Sequence, residues 1–252
     1  MPEIIKTDAV ILSKMKFRET SKIAVLYTRS HGRITVLIKG ARTAKSPVGL
    51  KIDPLNYLQV VIYLNNNREI QLLTQADIID HHPQIKEDLN RLKYATAATE
   101  LIQQLTMEGD VNPRLFQGLV RILHLFNSSE ENPSILLLKF MTFFLKEIGY
   151  ELQTDHCSSC LEPFETDTPA YFNYENGFVC GKCRNETAEV IGIRKELFNF
   201  FKCLRNSKNN ANDTRGSGTL SPHEAEKAVL FLEKYIKYHV PEFKGIRSIH
   251  LF

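Results

Sequence analysis

The first 80 residues alternate apolar and polar positions in short runs, which is the pattern of half-buried β-strands. The pattern predicts five strands, at residues 4–12, 23–28, 33–39, 57–64 and 71–77. Turn-forming stretches separate the runs, with Arg29-Ser30-His31-Gly32 closing one hairpin and Asn65-Asn66-Asn67 closing another. Five short strands without an intervening helical pattern favour a small closed barrel or a sandwich.

Beyond Pro83 the apolar positions recur every three or four residues, which is the period of amphipathic α-helices. Two helices are predicted from the apolar sets Leu89, Leu92, Ala95, Thr99 and Ile102, and Leu115, Leu119, Ile122, Leu123 and Phe126. A third begins after Pro133, with Ser134 as its N-cap, and ends at Gly149. Helix returns at 194–206, and a capping box at 221–224 opens the last helix. The apolar face of that last helix carries Ala228, Val229, Leu232, Tyr235 and Ile236.

Four of the five cysteines form two Cys-x2-Cys pairs, Cys157 with Cys160 and Cys180 with Cys183. This spacing is typical of zinc sites, because a two-residue gap lets both thiolates of a tight turn point at one ion. The span between the pairs is long enough to form two strands that bring the turns together. Four thiolates complete a tetrahedral zinc and leave no position for an activated water. We therefore predict one structural Zn²⁺.

Other uses of these cysteines fit the pattern less well. Two disulfides would need an oxidising compartment, a redox Cys-x2-Cys occurs once beside a βαβ unit, and an iron–sulfur cluster is the remaining alternative. His156, next to Cys157, is an alternative ligand, but four thiolates already suffice. Region 150–191 holds eight acidic residues against Lys182 and Arg184, so we expect it to brace the fold or contact a protein rather than bind phosphates.

The 252-residue chain has an ordinary globular composition, with 43% hydrophobic and 24% charged residues. No apolar run approaches the roughly 20 residues of a membrane span. The N-terminal sequence also lacks the features of a secretory signal. We expect a cytoplasmic protein of about two domains that has no membrane partner.

Positive charge is concentrated at the start of the chain. Residues 1–51 contain eleven lysines or arginines and three acidic residues, whereas the rest contains 21 basic and 26 acidic residues. Clustered cations attract polyanions and release their counterions on binding; the alternative is a solvated basic face without a ligand. Lys39, Arg42 and Lys45 extend into a loop after the third predicted strand, and Phe17 lies among the upstream cations. Charged loops with an occasional aromatic residue suit a flexible single strand of nucleic acid.

The sequence contains no complete catalytic motif. Residues 40–46 resemble a phosphate-binding P-loop, but Ala44 stands where a glycine is required and Pro47 follows where the helix should begin. His81 and His82 are adjacent, so their side chains diverge and a role at the strand-to-helix junction is favoured over a metal site. We therefore predict that the protein is not an enzyme.

Several short motifs occur in the order found in one known family. They are Ala9-Val10-Ile11-Leu12, Arg18-Glu19-Thr20-Ser21, Gly32-Arg33, Lys39-Gly40-Ala41-Arg42 with Lys45-Ser46, the four cysteines, and Arg247-Ser248. In this combination the chain resembles the bacterial RecO family over essentially its whole length. The resemblance implies a multidomain α+β fold. Its parts would be an N-terminal OB-fold β-barrel at 1–80, an α-helical domain at 81–149 and 192–252, and an inserted four-cysteine zinc ribbon at 150–191.

The same resemblance implies a DNA-binding recombination mediator of DNA repair that works at the nucleoid. Such a protein binds single- and double-stranded DNA and anneals complementary strands. It partners RecR and the acidic C-terminal tail of the single-stranded DNA-binding protein, so that RecA, an indirect partner, can load. The DNA-binding assignment falls on Lys39, Arg42 and Lys45, with Arg33 and Arg18 as further members.

Two features depart from the family pattern: Thr43-Ala44 stands where many relatives are more basic, and 207–218 looks like a lineage-specific insertion. The pocket for the acidic tail should lie among the helices and include a cation such as Arg121. The alternative function is a zinc-ribbon scaffold that binds RNA or protein. A zinc hydrolase would need an open metal position, which four cysteines deny.

Overall fold

The structure is a computed structural model that describes residues 3–43, 46–65, 67–165, 169–185, 189–206 and 220–251. Lys45 and the predicted insertion at 207–218 lie outside the described residues. The chain divides into two compact units, the first formed by residues 1–133 and 246–252 and the second by residues 134–245. The finer division into four segments stays a prediction.

The first unit begins with a closed five-stranded barrel. Its strands are β1 (Glu3–Phe17), β2 (Ser21–Thr28), β3 (Gly32–Ile38), β4 (Tyr57–Leu64) and β5 (Gln71–Asp80). They follow the order β1-β2-β3-β5-β4, and β4 closes the barrel against β1. All neighbours are antiparallel except β3 and β5. This is the topology of an OB-fold, and alternate side chains such as Ile34, Val36 and Ile38 fill the interior. The predicted barrel and fold class are confirmed.

The first strand is longer than its hydrophobic pattern predicts. The apolar run ends at Leu12, but β1 continues to Phe17 because its backbone still pairs with β2 beyond a bulge at Ile11/Ser13. In this added part Met15 and Lys16 are exposed. Backbone pairing needs no apolar side chain, so the hydrophobic pattern did not reveal it.

Three helices complete the described core of the first unit: α1 (Pro83–Glu87), α2 (Leu89–Leu105) and α3 (Pro113–Ser128). Asp88 caps α2 and Asn112 caps α3 through their side-chain oxygens. The short α1 was not predicted, because five residues are too few to show a helical period. A 3₁₀ turn at Arg247–His250 returns to α2, where the Ser248 N–H donates to the Glu100 carboxylate at 3.3 Å.

The connection between α2 and α3 runs along the first half of β3. The Gly109 N–H donates to the Arg33 carbonyl at 2.9 Å, and the Thr35 N–H donates to the Glu108 carboxylate at 3.1 Å. Gly32 has a φ of 60°, and a Cβ at this position would lie 2.1 Å from the Asp110 carbonyl oxygen. A glycine is therefore required here both for its conformation and for the close approach of the two backbones.

The second unit contains three helices and a small sheet. Its elements are α4 (Pro133–Glu147), β6 (Ala170–Asn173), β7 (Gly177–Cys180), β8 (Ile191–Ile193), α5 (Lys195–Asn206) and α6 (Pro222–His239). The capping box at Ser221 and Glu224 is confirmed. Ser134 does not cap α4: it lies buried within the first turn, because the helix already begins at Pro133. Among the described helices, none is long and apolar enough to cross a membrane.

The Gly32→Ala variant tests the contact between β3 and the α2–α3 connection. It should destabilise the first unit by about 3 kcal/mol, because left-handed strain adds to a steric clash. Gly40→Ala is the matched control, since Gly40 has a φ of 66° but a Cβ there meets nothing within 4 Å. It should cost only about 1 kcal/mol. The two free energies of unfolding are measured by denaturant titration followed by circular dichroism; equal losses would contradict the close contact.

Candidate metal centre and basic surfaces

The two Cys-x2-Cys pairs converge on one point of the second unit. The four sulfur atoms of Cys157, Cys160, Cys180 and Cys183 all lie within 4.8 Å of one another. The Sγ atoms of Cys160 and Cys180 are 3.8 Å apart. Four thiolates at about 2.3 Å from one tetrahedral ion stand about 3.8 Å from each other, so this spacing fits a metal and is far too long for a disulfide. The four side chains form a set that could hold one metal ion.

Short backbone hydrogen bonds shape the two turns that carry the cysteines. In the first turn the Cys157 N–H donates to the Glu162 carbonyl at 2.8 Å, and the Leu161 N–H donates to the Cys157 carbonyl at 3.0 Å. The β6–β7 hairpin carries the second pair, and the Asn173 side chain accepts two N–H groups in its turn. The Cys180 N–H then donates to the Cys157 sulfur at 3.3 Å, which joins the two turns.

The electrostatics of the cluster are compatible with a bound cation. Burial raises the pKa of the Cys157 thiol, but N–H groups of Cys160, Cys180 and Ser159 outweigh it and lower the pKa to about 6. Burial and the neighbouring thiols raise the pKa of Cys183 to about 12. One thiolate therefore opposes the ionisation of another, and a divalent ion removes that opposition by binding both.

The remaining histidine and cysteine near this region lie outside the cluster. His156 is exposed and does not belong to the converging set, so the alternative of a histidine ligand has no support among the described residues. Cys203 lies half-buried on α5. The back of the β6–β7 hairpin packs against α5 and α6 through aromatic contacts of Phe172 with Phe231 at 4.8 Å and of Phe178 with Phe198 at 5.0 Å. This packing supports the cysteine turns from behind.

Three of the predicted basic residues meet at one end of the barrel. Arg18 lies in the β1–β2 turn with a φ of 50°, and its guanidinium is 5.3 Å from the centre of the Phe17 ring. Arg42 donates a side-chain N–H to the Arg18 carbonyl at 2.8 Å and its backbone N–H to the Thr20 carbonyl at 2.9 Å. Lys39 follows the last residue of β3 at this same end and is exposed. Arg18, Lys39 and Arg42 are called the basic end below.

The structure separates Arg33 from this group. Arg33 lies at the start of β3, roughly 20 Å from Lys39 at about 3.4 Å per strand residue. Its Nε–H donates to the Thr106 carbonyl at 3.1 Å, so its side chain holds the α2–α3 connection. Lys45, the fifth residue of the set, lies outside the described residues. The P-loop resemblance also fails structurally, because residues 47–50 form turns where a P-loop requires a helix.

Several other N-terminal cations are neutralised within the barrel. Lys14 pairs with Asp53, and Lys51 pairs with Asp77 at 2.9 Å. Lys22 donates to the Gly49 carbonyl at 2.8 Å. In contrast, Arg18, Lys39 and Arg42 form no ion pair with any carboxylate in the described ranges. Fewer cations are therefore available to a ligand than the number of lysines and arginines in residues 1–51 suggests. Three of the available ones lie together at the basic end.

A groove of about 490 Å³ opens beside α3 in the first unit. Its apolar lining includes Tyr57, Phe116 and Val120, and its polar lining includes Arg29, Asp80, Arg121 and His124. These seven residues define the α3 groove. Arg121 and His124 are exposed, whereas Phe116 is buried and contacts Tyr57 with ring centroids 6.2 Å apart. The groove combines an apolar floor with two arginines, one aspartate and one histidine at its sides.

His82 borders the α3 groove and has a structural role. Its Nδ1 lies 2.9 Å from the Leu55 carbonyl, and its Nε2 lies 3.5 Å from the Asp80 carboxylate. Burial lowers the pKa of His82 despite that carboxylate. The buried ring therefore fits the predicted role at the junction between β5 and α1 and is no metal ligand among the described residues.

Of the α3 groove residues, only Arg121 was predicted from the sequence to line a pocket for an acidic tail. The exposed positions Arg114, Gln117, Arg121 and His124 recur at helical spacing on α3, and this polar stripe was the one available signal. Arg29 reaches the groove from the β2–β3 turn, and Tyr57 reaches it from the start of β4. Their proximity depends on barrel closure and has no sequence signature.

Comparison with known proteins covers both units. Residues 1–82 match the family described as recombination protein O, N terminal, and residues 86–246 match recombination protein O, C terminal. The DNA repair protein RecO of Alkaliphilus metalliredigens is 31% identical over 192 residues, which cover 75% of this chain and 76% of that protein. RecO of Halalkalibacterium halodurans is 26% identical over 242 residues, covering 96% and 90%. RecO of Thermoanaerobacter sp. is 27% identical over 245 residues, covering 96% and 95%.

The order of the motifs, the barrel followed by helices and a four-cysteine cluster, and similarity along nearly the whole length lead to one assignment. The chain belongs to the RecO family of DNA repair and recombination proteins.

Proposed function

We propose that this chain is a recombination mediator without enzymatic activity. It binds single- and double-stranded DNA, anneals complementary strands, and helps to load RecA on strands coated by the single-stranded DNA-binding protein, with RecR as a partner. Membership of the RecO family supports this role, and the convergence of Arg18, Lys39 and Arg42 is the observation that carries DNA binding. The four cysteines of the cluster form no disulfide in the part of the chain that the structure describes, which fits the reducing cytoplasm in which such a protein works.

The basic end suits phosphate binding because its cations are exposed and uncompensated. Arg42 is held against the β1–β2 turn, because its guanidinium donates to the backbone carbonyl of Arg18. Phe17 lies under Arg18 and adds an aromatic ring on which a base can stack. Lys45 belongs to the same proposal by its position in the sequence. Arg33 is a minor member, because it lies at the other end of β3, roughly 20 Å from Lys39.

The variant R18Q/K39Q/R42Q tests this surface. Affinity for a labelled single strand should fall at least about tenfold, and the slope of log K against log salt should flatten by about 2, since three phosphate contacts are lost. The readout is fluorescence anisotropy across a salt series. Strand annealing of coated oligonucleotides should fall in parallel.

A matched variant, K14Q/K51Q/K146Q, removes three cations that already pair with Asp53, Asp77 and Glu151. It has the same net charge as the test variant, and its DNA affinity should stay within about twofold of wild type, because partnered charges release few counterions. Equal losses in both variants would reject the basic end as a specific site. Intact DNA binding and annealing in the test variant would favour the scaffold alternative, an RNA- or protein-binding zinc ribbon.

We also propose that the cysteine cluster holds one structural Zn²⁺. Cys157, Cys160, Cys180 and Cys183 would each supply a thiolate, and zinc would supply the cross-link between the two turns. The N–H groups that already point at the Cys157 sulfur would stabilise the bound thiolate. With four protein ligands the ion has no open position, so its contribution is to folding of the second unit.

The Cys160→Ser variant should lose this metal. Zinc per chain, measured by elemental analysis after dialysis against a chelator, should fall from about one to near zero, because three thiolates bind the ion far more weakly. The melting temperature of the second unit should fall as well. Cys203→Ser is the control and should keep both values. Stoichiometric zinc in C160S, or an unchanged melting temperature without metal, would reject the structural zinc.

The α3 groove is our proposed site for the acidic tail of the single-stranded DNA-binding protein. Arg29 and Arg121 offer charge-assisted hydrogen bonds to carboxylates. Tyr57, Phe116 and Val120 offer an apolar floor for a hydrophobic side chain of the same peptide. Arginines beside an apolar floor fit a peptide that carries both carboxylates and a hydrophobic side chain better than they fit a nucleic acid.

The Arg121→Glu variant should weaken binding of a synthetic tail peptide at least about tenfold, since a cation beside the carboxylates becomes a repelling charge. Isothermal titration measures the affinity. Arg114→Glu is the matched control, because Arg114 is exposed on the same helix but does not line the groove. Loss of binding in both variants, or in neither, would show that the tail binds elsewhere.

A further inference from the structure

The solvent side of α6 carries a band of basic and aromatic residues. At 3.6 residues per turn its members fall within about 100° of arc around the helix axis. They are His223, Lys227, Leu230, Lys234, Lys237 and Tyr238, and they are called the α6 outer face. All six are exposed. From Lys227 to Tyr238 the band extends about 16 Å along the helix.

The three lysines of this face have no acidic partner. Lys227, Lys234 and Lys237 form no ion pair with any residue of the ranges that the structure describes. The glutamates of the helix point away from the face or lie at its margin. Glu224 caps the helix and pairs with Arg194 at 3.0 Å, Glu233 is buried, and Glu226 lies beside the band. The local charge is therefore positive, although the neighbouring cysteine region is acidic.

Exposed aromatic surface adjoins these lysines. Tyr238 is 52% exposed, and its ring stacks on Tyr174 with centroids 6.2 Å apart and planes 30° apart. Leu230 is 41% exposed on the same face. The His239 ring lies 5.2 Å from the same tyrosine ring, so two aromatic neighbours hold Tyr238 while about half of it remains exposed for a nucleobase to stack on.

We propose that the α6 outer face binds single-stranded nucleic acid, as a second surface that is independent of the basic end. Lys227, Lys234 and Lys237 neutralise successive phosphates, and Tyr238 stacks with a base. An anionic membrane is a poorer occupant, because the apolar side of α6 is packed inside the second unit and has nothing to insert. A duplex is also a poorer occupant, because its bases are already stacked on each other.

This surface gives each of the two units its own strand-binding site. A chain with two such sites can hold two strands at once, which is what annealing requires. That use of the α6 outer face rests on the proposed function, whereas the binding itself does not.

The test uses the full chain and short oligothymidylates of ten nucleotides. Tight-binding titration at low salt should give two oligonucleotides per chain for wild type and one for K227Q/K234Q/K237Q. The R18Q/K39Q/R42Q variant should also bind one, and the remaining affinity in each variant should be lost at high salt. Glutamine is a good helix former, so α6 should stay folded in the test variant, which circular dichroism checks.

A control variant, K146Q/K182Q/K195Q, removes three other exposed lysines of the second unit and should still bind two oligonucleotides. Tyr238→Ala should weaken the α6 site at least about fivefold, whereas Tyr238→Phe should retain it, because the ring and not the hydroxyl stacks. A bromouracil-substituted oligonucleotide should crosslink to Tyr238 in wild type and in R18Q/K39Q/R42Q.

An equal stoichiometry and affinity in wild type and K227Q/K234Q/K237Q would overturn the α6 site and leave the basic end untouched. If K227Q/K234Q/K237Q loses binding to an acidic protein but binds oligonucleotides as wild type does, the α6 site is overturned as well. If R18Q/K39Q/R42Q instead binds as wild type while the α6 variant loses one oligonucleotide, the basic end fails and the α6 site stands.

Discussion

The backbone of β3 needs hydrogen-bond partners on both edges, and it finds them in three places. β2 pairs along its whole length, the α2–α3 connection pairs with its first half, and β5 pairs with its second half. The strand β3 therefore both closes the barrel and attaches the helices. Separating β3 from either partner would expose buried peptide groups. The same strand sets the distance between two surfaces: Arg29 precedes it beside the α3 groove, and Lys39 and Arg42 follow it at the basic end.

Local patterns allowed much of the fold to be predicted. Strands β2 to β5 alternate apolar and polar residues, so their positions were predicted closely, and the capping box marked the start of α6. The convergence of the four cysteines was predicted equally well, because two cysteines separated by two residues can bind one metal ion together in only a few backbone conformations. In each case the sequence signal that predicts the feature lies within a few residues of chain.

Features that depend on remote residues were not predictable in the same way. Lys51 pairs with Asp77, and the Arg33 guanidinium donates to the Thr106 carbonyl. A count of charged residues does not show which cations already have such a partner. The α3 groove combines Tyr57 with Arg121 only because the barrel closes. The α6 outer face has no sequence signal for another reason: exposed lysines are common on the polar side of an amphipathic helix, whether or not that side binds a ligand.

The first unit is discontinuous, since residues 246–252 return to it after the second unit and Ser248 reaches Glu100. Translation must therefore pass through residues 134–245 before the last piece of the first unit exists. At about 5 to 20 residues per second this takes roughly 6 to 22 s. During this interval α2 lacks its final neighbour on the ribosome, so the unit that is made first is completed last.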